Sequence, residues 1–578
     1  MNYSLTKTDA DAENKKGVLA TALRRLVPLL AEEGRSVALA IGAILVSSST
    51  ALIAPILIAR AVDTYIAHGD FGGVLMLSGW LGALFVVGLV SSYVQVKTMG
   101  GVGRRLLFSL RNKIFGKLQE LPIAFFNSNK TGDLISRINN DTDKLNQFFA
   151  QALMQFISSL VLIIGAGIFL LSLGWRIGLL SLIPAALALI ATRLLSPWVK
   201  RTSLRSLRAL GAMSGEIQES INNFKVIVAF NRLDYFRDRF RESNEANYAA
   251  SISNGIASNV FNPVYVFASA VAQLLVLAYG ISLISAGDFT IGLLIGFLLY
   301  VNNFYNPLRQ LAAVWPSLQL ALAGLDRISE VLALESDLVT LPSGDASASS
   351  SAIAPSAPNA VLEFKDVFFR YSNSGDVLKQ VNLALERGKT YALVGPTGGG
   401  KTTTASLMAR LYDPSEGTIF LEGNDIRSYS PAERARKIGF ILQEPFLFTG
   451  TVRDNILYGN AEHAGGTNEQ LLAVLDQAGL TSLLARFPEG LDTKVVSSGD
   501  AVSLGQKQLI AFIRAALRNP DILILDEATA NIDTVTEQLL EEILEKLPAR
   551  TTKVIIAHRL NTIESADDIF FVHGGQVT

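Results

Sequence analysis

The sequence predicts a multidomain membrane protein, in which an all-α transmembrane domain of six helices precedes an α/β domain. Three observations predict this fold class. Six strongly apolar stretches lie within the first 310 residues. Residues 343–358 (SGDASASSSAIAPSAP) have the composition of a flexible linker. From Val361 onward, short β-branched runs alternate with helical patterns, which is typical of an α/β domain.

The overall composition agrees with a chain that is partly membrane-embedded. Of 578 residues, 49% are hydrophobic and 17% are charged, whereas soluble domains carry about 25% charged residues. The 50 basic and 51 acidic residues give a net charge of −1, so there is no electrostatic reason to expect a nucleic-acid partner. The chain contains no cysteine, which excludes disulfides, thiolate zinc sites, iron–sulfur clusters and a cysteine nucleophile.

Each apolar stretch is close to the ~20 residues that a membrane-spanning helix requires. One or two such runs would also suit a buried core, but six in one half of the chain favour a membrane domain. The six predicted spans are Val37–Ala59, Val74–Val96, Ala152–Leu173, Ile177–Leu195, Pro263–Ile284 and Phe289–Leu308.

The connections between the spans predict the orientation of the chain. Two long connections, near 97–150 and 196–262, are rich in Lys and Arg, whereas the short Tyr65–Gly73 connection has neither. The positive-inside rule therefore places both long connections and both termini in the cytoplasm, and helical patterning suggests that the helices continue beyond the bilayer. Residues Met1–Lys16 lack the apolar run of a secretory signal. Leu23–Ser36 has the pattern of an amphipathic helix on the membrane surface.

A glycine-rich motif, GPTGGGKT, joins the apolar run Thr390–Val394 to a helical pattern. Its spacing is that of a P-loop, in which backbone N–H groups and a helix N-terminus hold phosphate oxygens. Lys401 would bring charge to the β- and γ-phosphates, and the Thr402 hydroxyl would bind Mg²⁺. A glycine-rich turn gives the same bare pattern, but the flanking strand and helix favour a P-loop NTPase domain. The predicted nucleotide contacts are Gly395, Thr397, Gly398, Gly399, Gly400, Lys401, Thr402 and Thr403.

An apolar run that ends in two acids, Ile522–Glu527 (ILILDE), follows about 120 residues later. Asp526 at the end of such a strand is placed to hold Mg²⁺, and Glu527 is then placed to polarise a water that attacks the γ-phosphate. A strand that ends in solvated acids is common. The P-loop in the same domain favours the catalytic interpretation. Two further runs, Lys437–Leu442 and Lys553–Ile556, are predicted strands of the same domain.

These motifs together resemble the ATP-binding cassette transporters, and the resemblance spans roughly residues 20–578, as in an exporter half-transporter. It implies an adenine-stacking aromatic residue, a glutamine that contacts Mg²⁺ and the membrane domain, a signature motif, a dimer-contact loop and a switch histidine. In this sequence, the matching residues are Tyr371, Gln443, Ser503 with Gly505 and Gln506, Asp533, and His558. The expected catalytic residues are then Glu527, His558 and Gln443, and the Mg²⁺ ligands are Thr402, Gln443 and Asp526.

Two features depart from the family's pattern. The loop Thr493–Gly499 lacks the glutamate that exporters often carry there, which concerns a contact to the membrane domain and not hydrolysis. The signature motif usually reads LSGGQ, and Leu504 replaces its first glycine here. Ser503 and Gly505 remain, so the resemblance still implies a working site. In the membrane half, Leu121–Asn127 and Asn222–Asn231 resemble the first and second cytoplasmic loops of exporters, and both lie in the long basic connections.

The resemblance also implies domain boundaries and partners. A cytoplasmic tail with an amphipathic helix (1–36) leads into the transmembrane domain (37–332), a linker (333–360) and the nucleotide-binding domain (361–578). In this family the P-loop and the signature motif of one domain face apart, so a complete ATP site requires a second half-transporter chain, identical or different. The expected cofactors are ATP and Mg²⁺, and the expected location is a multi-pass position in a bacterial inner membrane.

The expected activity is ATP-driven efflux of an amphipathic, drug-like or lipid-like substrate. An ATP-gated channel or sensor on the same scaffold, and an exporter-fold importer of, for example, a metal chelate, are the alternatives. Polar residues of the last spans, among them Tyr300, Asn302, Asn303 and Tyr305, would line a substrate cavity or join helices by hydrogen bonds. The sequence leaves both interpretations open.

Overall fold

The structure, a computed structural model, resolves into two compact units. One unit comprises the described residues of 5–119 and 130–334, and the other those of 1–4, 120–129 and 335–578. The structure describes residues 3, 5, 28, 31–336, 338, 340–341, 357, 359–371, 375–460, 462–496, 502–526, 534–557, 564 and 566–578.

The first of these units is helical. Three of its segments, Ala61–Ile66, Arg137–Asp141 and Phe148–Ala152, have the wider turns of a π-helix. The α-helices between residues 34 and 332 are α1 (Gly34–Arg60), α2 (Phe71–Glu120), α3 (Ile123–Ser128), α4 (Thr131–Ser136), α5 (Thr142–Gln147), α6 (Leu153–Leu173), α7 (Trp175–Asn222), α8 (Phe224–Ala229), α9 (Leu233–Asn259), α10 (Phe261–Ser285) and α11 (Ile291–Leu332). Of these, α3 belongs to the other unit.

Within the described part of the chain, six helical segments are long and apolar enough to cross a membrane, which confirms the prediction of six spans. Helix α2 has 50 residues. At about 1.5 Å per residue it is about 75 Å long, more than twice the ~30 Å hydrocarbon thickness of a bilayer. The helices thus continue well into the connections, as the sequence predicts. The six segments are Gly34–Ile66, Phe71–Glu120, Thr131–Leu173, Trp175–Asn222, Leu233–Ser285 and Ile291–Leu332.

Polar residues of the last span join helices to each other. Helix α11 packs against α1, α6 and α10 around a core that contains Phe297 and Val301. From α11, Asn303 Nδ2 donates to the Ala51 carbonyl at 3.0 Å and Tyr305 Oη donates to the Ser181 carbonyl at 2.8 Å. Asn302 Oδ1 accepts from Gln273 Nε2 of α10 at 3.0 Å. Of the two interpretations open from the sequence, these contacts are of the helix-joining kind.

The other unit contains the α/β domain, which confirms the predicted fold class. Its described strands are β1 (Ala360–Arg370), β2 (Asp376–Glu386), β3 (Thr390–Val394), β4 (Glu416–Leu421), β5 (Asn424–Asp425), β6 (Ile438–Ile441), β7 (Gly450–Thr451), β8 (Lys494–Val495), β9 (Ile522–Asp526), β10 (Thr552–Ile556), β11 (Asp568–His573) and β12 (Gln576–Val577). They form a four-stranded sheet of order β2-β1-β4-β5, a six-stranded sheet of order β12-β11-β3-β10-β9-β6, and a small β7-β8 pair.

Helices cover this domain and complete its core. They are α12 (Lys401–Met408), α13 (Pro431–Lys437), α14 (Val452–Ile456), α15 (Asn468–Gln477), α16 (Leu504–Leu517) and α17 (Thr534–Lys546). The central strands of the six-stranded sheet run parallel. They are short apolar runs because both faces of a parallel sheet are covered; all five residues of β9 are buried.

The register of the parallel strands brings their carboxyl ends to one edge. Asp526 of β9 pairs with Ile556 of β10, and Ile556 pairs with Leu393 of β3. On the other side of β9, Leu525 pairs with Ile441 of β6. The loops that follow β3, β6, β9 and β10 therefore begin at the same edge, which is where open α/β sheets bind ligands.

Candidate nucleotide site

The P-loop occupies the turn between β3 and α12. Gly395 has φ +145° and Gly400, which caps α12, has φ +114°. A Cβ on Gly395 would lie 2.1 Å from the Val572 carbonyl oxygen, and one on Gly399 would lie 2.6 Å from the same oxygen. These positions therefore require glycine, because a side chain would collide with the backbone of β11.

Lys401 is held against this loop by hydrogen bonds to two carbonyls of the loop. Its side chain is 6% exposed, and Nζ donates to the carbonyls of Gly395 at 2.8 Å and Pro396 at 3.1 Å. The ammonium group thus lies beside the glycines and close to the start of α12, where its charge adds to the positive end of the helix dipole. The remaining loop residues of the prediction, Thr397 and Gly398, lie between Pro396 and Gly399.

Thr402 and Asp526 come together although 124 residues separate them. Thr402 Oγ1 donates to Asp526 Oδ1 at 3.3 Å, and Asp526 is 7% exposed at the end of β9. A hydroxyl beside a carboxylate is a pair of hard oxygen donors, the ligand type that Mg²⁺ prefers. The residues present therefore fit a magnesium ion at this edge of the sheet.

Gln443 is at the same edge. It follows the end of β6 by two residues and is exposed. Because β6 pairs with β9, with Ile441 opposite Leu525, Gln443 lies one register position beyond Asp526. The predicted residues Glu527, Asp533 and His558 lie outside the residues that the structure describes.

The predicted adenine-stacking residue, Tyr371, follows β1 directly. Its hydroxyl and Thr403 Oγ1 of α12 are hydrogen-bonded at 3.1 Å, which ties the ring to the helix that the P-loop begins. The ring stands edge-on to Phe369 at 4.8 Å and to Tyr412 at 5.4 Å between centroids. Tyr371 remains 37% exposed, so the ring is held in place and still accessible.

The predicted signature residues form the start of α16. Ser503 Oγ accepts from the Gln506 backbone N–H at 3.2 Å, and the Ser503 N–H donates to Gln506 Oε1 at 2.9 Å, which is a capping box. Gln506 Nε2 also donates to the Arg486 carbonyl at 2.7 Å. Ser503 and Leu504 are exposed and Gly505 is buried. The motif therefore builds a rigid, exposed helix start.

Two residues that the sequence does not single out join this site. Tyr412, beyond the end of α12, contacts the rings of Phe369 and Tyr371. Its hydroxyl accepts a hydrogen bond from Asn127 Nδ2 at 2.7 Å. Burial raises the pKa of the Tyr412 hydroxyl, and the Asn127 hydrogen bond opposes that rise. The partners are 285 positions apart in the chain, so no local spacing in the sequence indicates this contact.

Comparisons with known proteins agree with this geometry. The profile of the ABC transporter transmembrane region matches residues 37–308, and the ABC transporter profile matches residues 378–530. An uncharacterized ABC transporter ATP-binding protein of Bacillus subtilis is 32% identical over 575 residues, which are 99% of this chain and 92% of the relative. The chain belongs to the ATP-binding cassette (ABC) transporters.

Two further relatives carry names that describe a substrate. A multidrug resistance ABC transporter ATP-binding and permease protein of Lactococcus lactis is 29% identical over 97% of this chain and 93% of its own length. A fatty acid ABC transporter ATP-binding/permease protein of Mycobacterium bovis is 30% identical over 88% of this chain and 78% of its own length. This ABC transporter is thus of the exporter type that fuses both domains in one chain. It is a multi-pass integral membrane protein and an ATPase coupled to transport.

Proposed function

We propose that the protein exports an amphipathic, drug-like or lipid-like substrate by ATP-driven alternating access, as one half of a dimer. The observation that carries the proposal is the pairing of Thr402 with Asp526 beside the P-loop, in a chain that also has six apolar helices. The names of the multidrug and fatty acid relatives support this substrate class.

In this proposal, the residues at the sheet edge divide the chemistry of ATP hydrolysis among them. Thr402, Asp526 and Gln443 hold Mg²⁺, which neutralises charge on the phosphates when it is bound. Lys401 adds its charge to the β- and γ-phosphates. Glu527 polarises the attacking water, and His558 contacts the γ-phosphate.

A dimer is supported by two exposed surfaces. The capped start of α16 presents Ser503 to solvent, and we propose that it faces the Lys401 loop of a second chain. Helix α8 presents Phe224, Val226 and Val228, each half-exposed, in a connection that the charge pattern places in the cytoplasm. Such apolar exposure marks an interaction surface.

A recess in the nucleotide domain is the surface that we propose as the docking site of that helix. A cavity of about 120 Å³ lies beside the segment after β6 and is lined by Leu442, Phe446, Arg514 and others. Burial lowers the pKa of the Arg514 guanidinium. We propose that α8 of one chain docks in this cavity of the other, so that closure of the nucleotide domains moves the membrane helices.

The spans favour an uncharged or amphipathic substrate. Five of the six predicted stretches contain no Asp, Glu, Lys or Arg, and the sixth contains only Arg193. A charged substrate would have to cross the bilayer without a compensating charge, which costs several kcal/mol. The Lys and Arg of the two long connections support an orientation with both termini in the cytoplasm, and the bacterial relatives support a location in a bacterial inner membrane.

The test is ATP hydrolysis by the purified protein in lipid, compared with Glu527→Gln, in the presence of a panel of amphipathic compounds. We expect the variant to lose about 100-fold or more of the activity, because it lacks the general base, and some compounds to stimulate the wild type. Passive ion flux on addition of ATP would support a channel instead. Transport of substrate from the external side to the cytoplasmic side of the membrane in oriented vesicles would support an importer.

A further inference from the structure

We propose that Tyr412 and Asn127 are positioning residues for ATP, because they hold the adenine-stacking ring of Tyr371 and tie its position to helix α3. The inference rests on the proposed role of Tyr371 as the residue on which the adenine ring stacks. It adds a route by which a segment from outside the nucleotide-binding domain sets the affinity for ATP.

The first step is the way in which the Tyr371 ring is held. Phe369, Tyr371 and Tyr412 form a cluster in which each ring contacts the other two, at centroid distances of 4.8, 5.4 and 5.6 Å. Phe369 is buried in the core and cannot move independently of β1. Tyr412 is half-buried and contacts the Tyr371 ring, so its orientation constrains that ring together with the hydrogen bond between the Tyr371 hydroxyl and Thr403.

The second step is the hydroxyl of Tyr412. It accepts from Asn127 Nδ2 at 2.7 Å, and both Asn127 and its neighbours Phe126 and Ser128 are exposed on α3. The short distance and the half-buried acceptor make this a well-formed bond. A displacement of α3 by an ångström or two would break it and release the Tyr412 ring.

The third step is that α3 has its own anchor within the same unit. Phe125 is fully buried and stands edge-on to the ring of Tyr3. Asn129 Nδ2 donates to the carbonyls of Tyr3 and Phe125, both at 2.8 Å, and the Tyr3 hydroxyl donates to the Glu335 carbonyl at 3.2 Å. These contacts join α3 to residues 3 and 335 of the same unit, and Asn127 is the residue through which α3 reaches the aromatic cluster.

The coupling works in both directions. If the position of α3 changes the affinity for ATP through Tyr371, then ATP binding must favour the position of α3 in which the Asn127–Tyr412 bond is formed, by the same factor. The geometry thus gives α3 a thermodynamic link to the nucleotide base, in addition to any link through the phosphates.

The test separates base recognition from phosphate recognition in the full chain reconstituted in lipid. For each variant, the KM and kcat for ATP are measured together with the inhibition constant of inorganic tripolyphosphate, which has no base. We expect Tyr412→Leu to raise the KM for ATP about three- to tenfold, the range for loss of an aromatic contact, with kcat and the tripolyphosphate constant unchanged.

Milder variants isolate the hydrogen bond. Asn127→Ala and Tyr412→Phe each remove it and should each raise the KM for ATP about two- to threefold. Because they remove the same bond, the double variant should be no worse than the more affected single variant. Ser128→Ala, on the same helix, and Tyr429→Phe, another half-buried tyrosine of this domain, are the matched controls and should leave all three constants unchanged.

Tyr371→Ala distinguishes the two ways in which the idea can fail. If Tyr371→Ala leaves the KM for ATP unchanged, the proposed stacking of adenine on Tyr371 is wrong. If it raises the KM while Tyr412→Leu and Asn127→Ala do not, only the positioning role is wrong. A parallel rise in the tripolyphosphate constant for the Tyr412 and Asn127 variants would show general damage to the site and would also overturn the proposal.

Discussion

Two threonines of α12 differ in what their hydroxyls contact. Thr402 Oγ1 donates to the Asp526 carboxylate, whereas Thr404 Oγ1 donates to the Gly400 carbonyl within its own helix at 2.9 Å. We therefore expect Thr402→Val to raise the Mg²⁺ concentration for half-maximal ATP hydrolysis by about tenfold or more, because an oxygen ligand is lost. Thr402→Ser, which keeps the hydroxyl, should behave like the wild type. The measurement is a Mg²⁺ titration of the ATPase activity at fixed ATP.

Thr404→Val is the control for this prediction, since it removes a hydroxyl of the same helix that faces away from Asp526. It should lower stability slightly and leave the Mg²⁺ dependence unchanged. An equal shift for both valine variants would contradict a specific role for Thr402 in binding the metal.

For single residues, the P-loop was predictable from local spacing, whereas long-range contacts were not predictable. Gly395 to Thr402 form one loop and the first residues of α12, so a short motif specifies both the conformation and the chemistry. Asp526 could be predicted because it ends an apolar strand. The contact between Asn127 and Tyr412 depends on how two distant segments pack, and an exposed asparagine carries no sequence signal for that.

Among the elements, α1 and α11 are joined at a proline. Pro55 has no N–H, so the Ala51 carbonyl four residues earlier lacks its helical donor. Asn303 Nδ2 supplies the missing hydrogen bond at 3.0 Å, and the Tyr300 hydroxyl donates to the neighbouring Leu52 carbonyl. Polar side chains of neighbouring helices satisfy carbonyls freed by proline in this way within membranes.

This arrangement predicts a coupling between the two positions. Asn303→Leu should lower the free energy of unfolding by about 1–2 kcal/mol, the upper range for hydrogen bonds between membrane helices, because Pro55 cannot donate to the Ala51 carbonyl in its place. In a Pro55→Ala background, the restored N–H of residue 55 can satisfy Ala51, so the same change should cost much less. The measurement is the unfolding free energy of the four proteins in a mixed detergent system.

Asn302→Leu is the matched control for that cycle, since Asn302 is the adjacent residue of α11 and bonds to Gln273 of α10 instead. Its cost should be the same with and without Pro55. If Asn303→Leu and Pro55→Ala are additive, then Asn303 does not compensate for the proline.

Periodicity predicted the elements better than their partners. The strands of the parallel sheet could be placed because fully buried strands are continuous apolar runs, and the spans because a bilayer demands length. The sequence indicated that Asn303 could join helices, but it did not indicate that its partner is the Ala51 carbonyl of α1 beside Pro55. Apolar helices in a membrane share one composition, so composition does not indicate which of them are neighbours.

For the whole molecule, the decisive question is whether one ATP site is made by two chains. In the proposed dimer, each site joins the Lys401 loop of one chain to Ser503 of the other. Lys401→Ala and Ser503→Ala should therefore each abolish hydrolysis when present on both chains. When the two variants are expressed together, a mixed dimer has one site with both defects and one intact site.

Random pairing of equal amounts makes half of the dimers mixed, so the mixture should recover about a quarter of the wild-type activity if the two sites act independently. Activity is measured after tandem purification through a different affinity tag on each variant, which isolates the mixed dimers and should raise the recovery to about half. The control is a mixed dimer in which one chain carries both changes and the other carries none, since each of its sites then has one defect and should be inactive. Recovery in this control but not in the split pair would place Lys401 and Ser503 of one chain in the same site and would contradict the shared-site dimer.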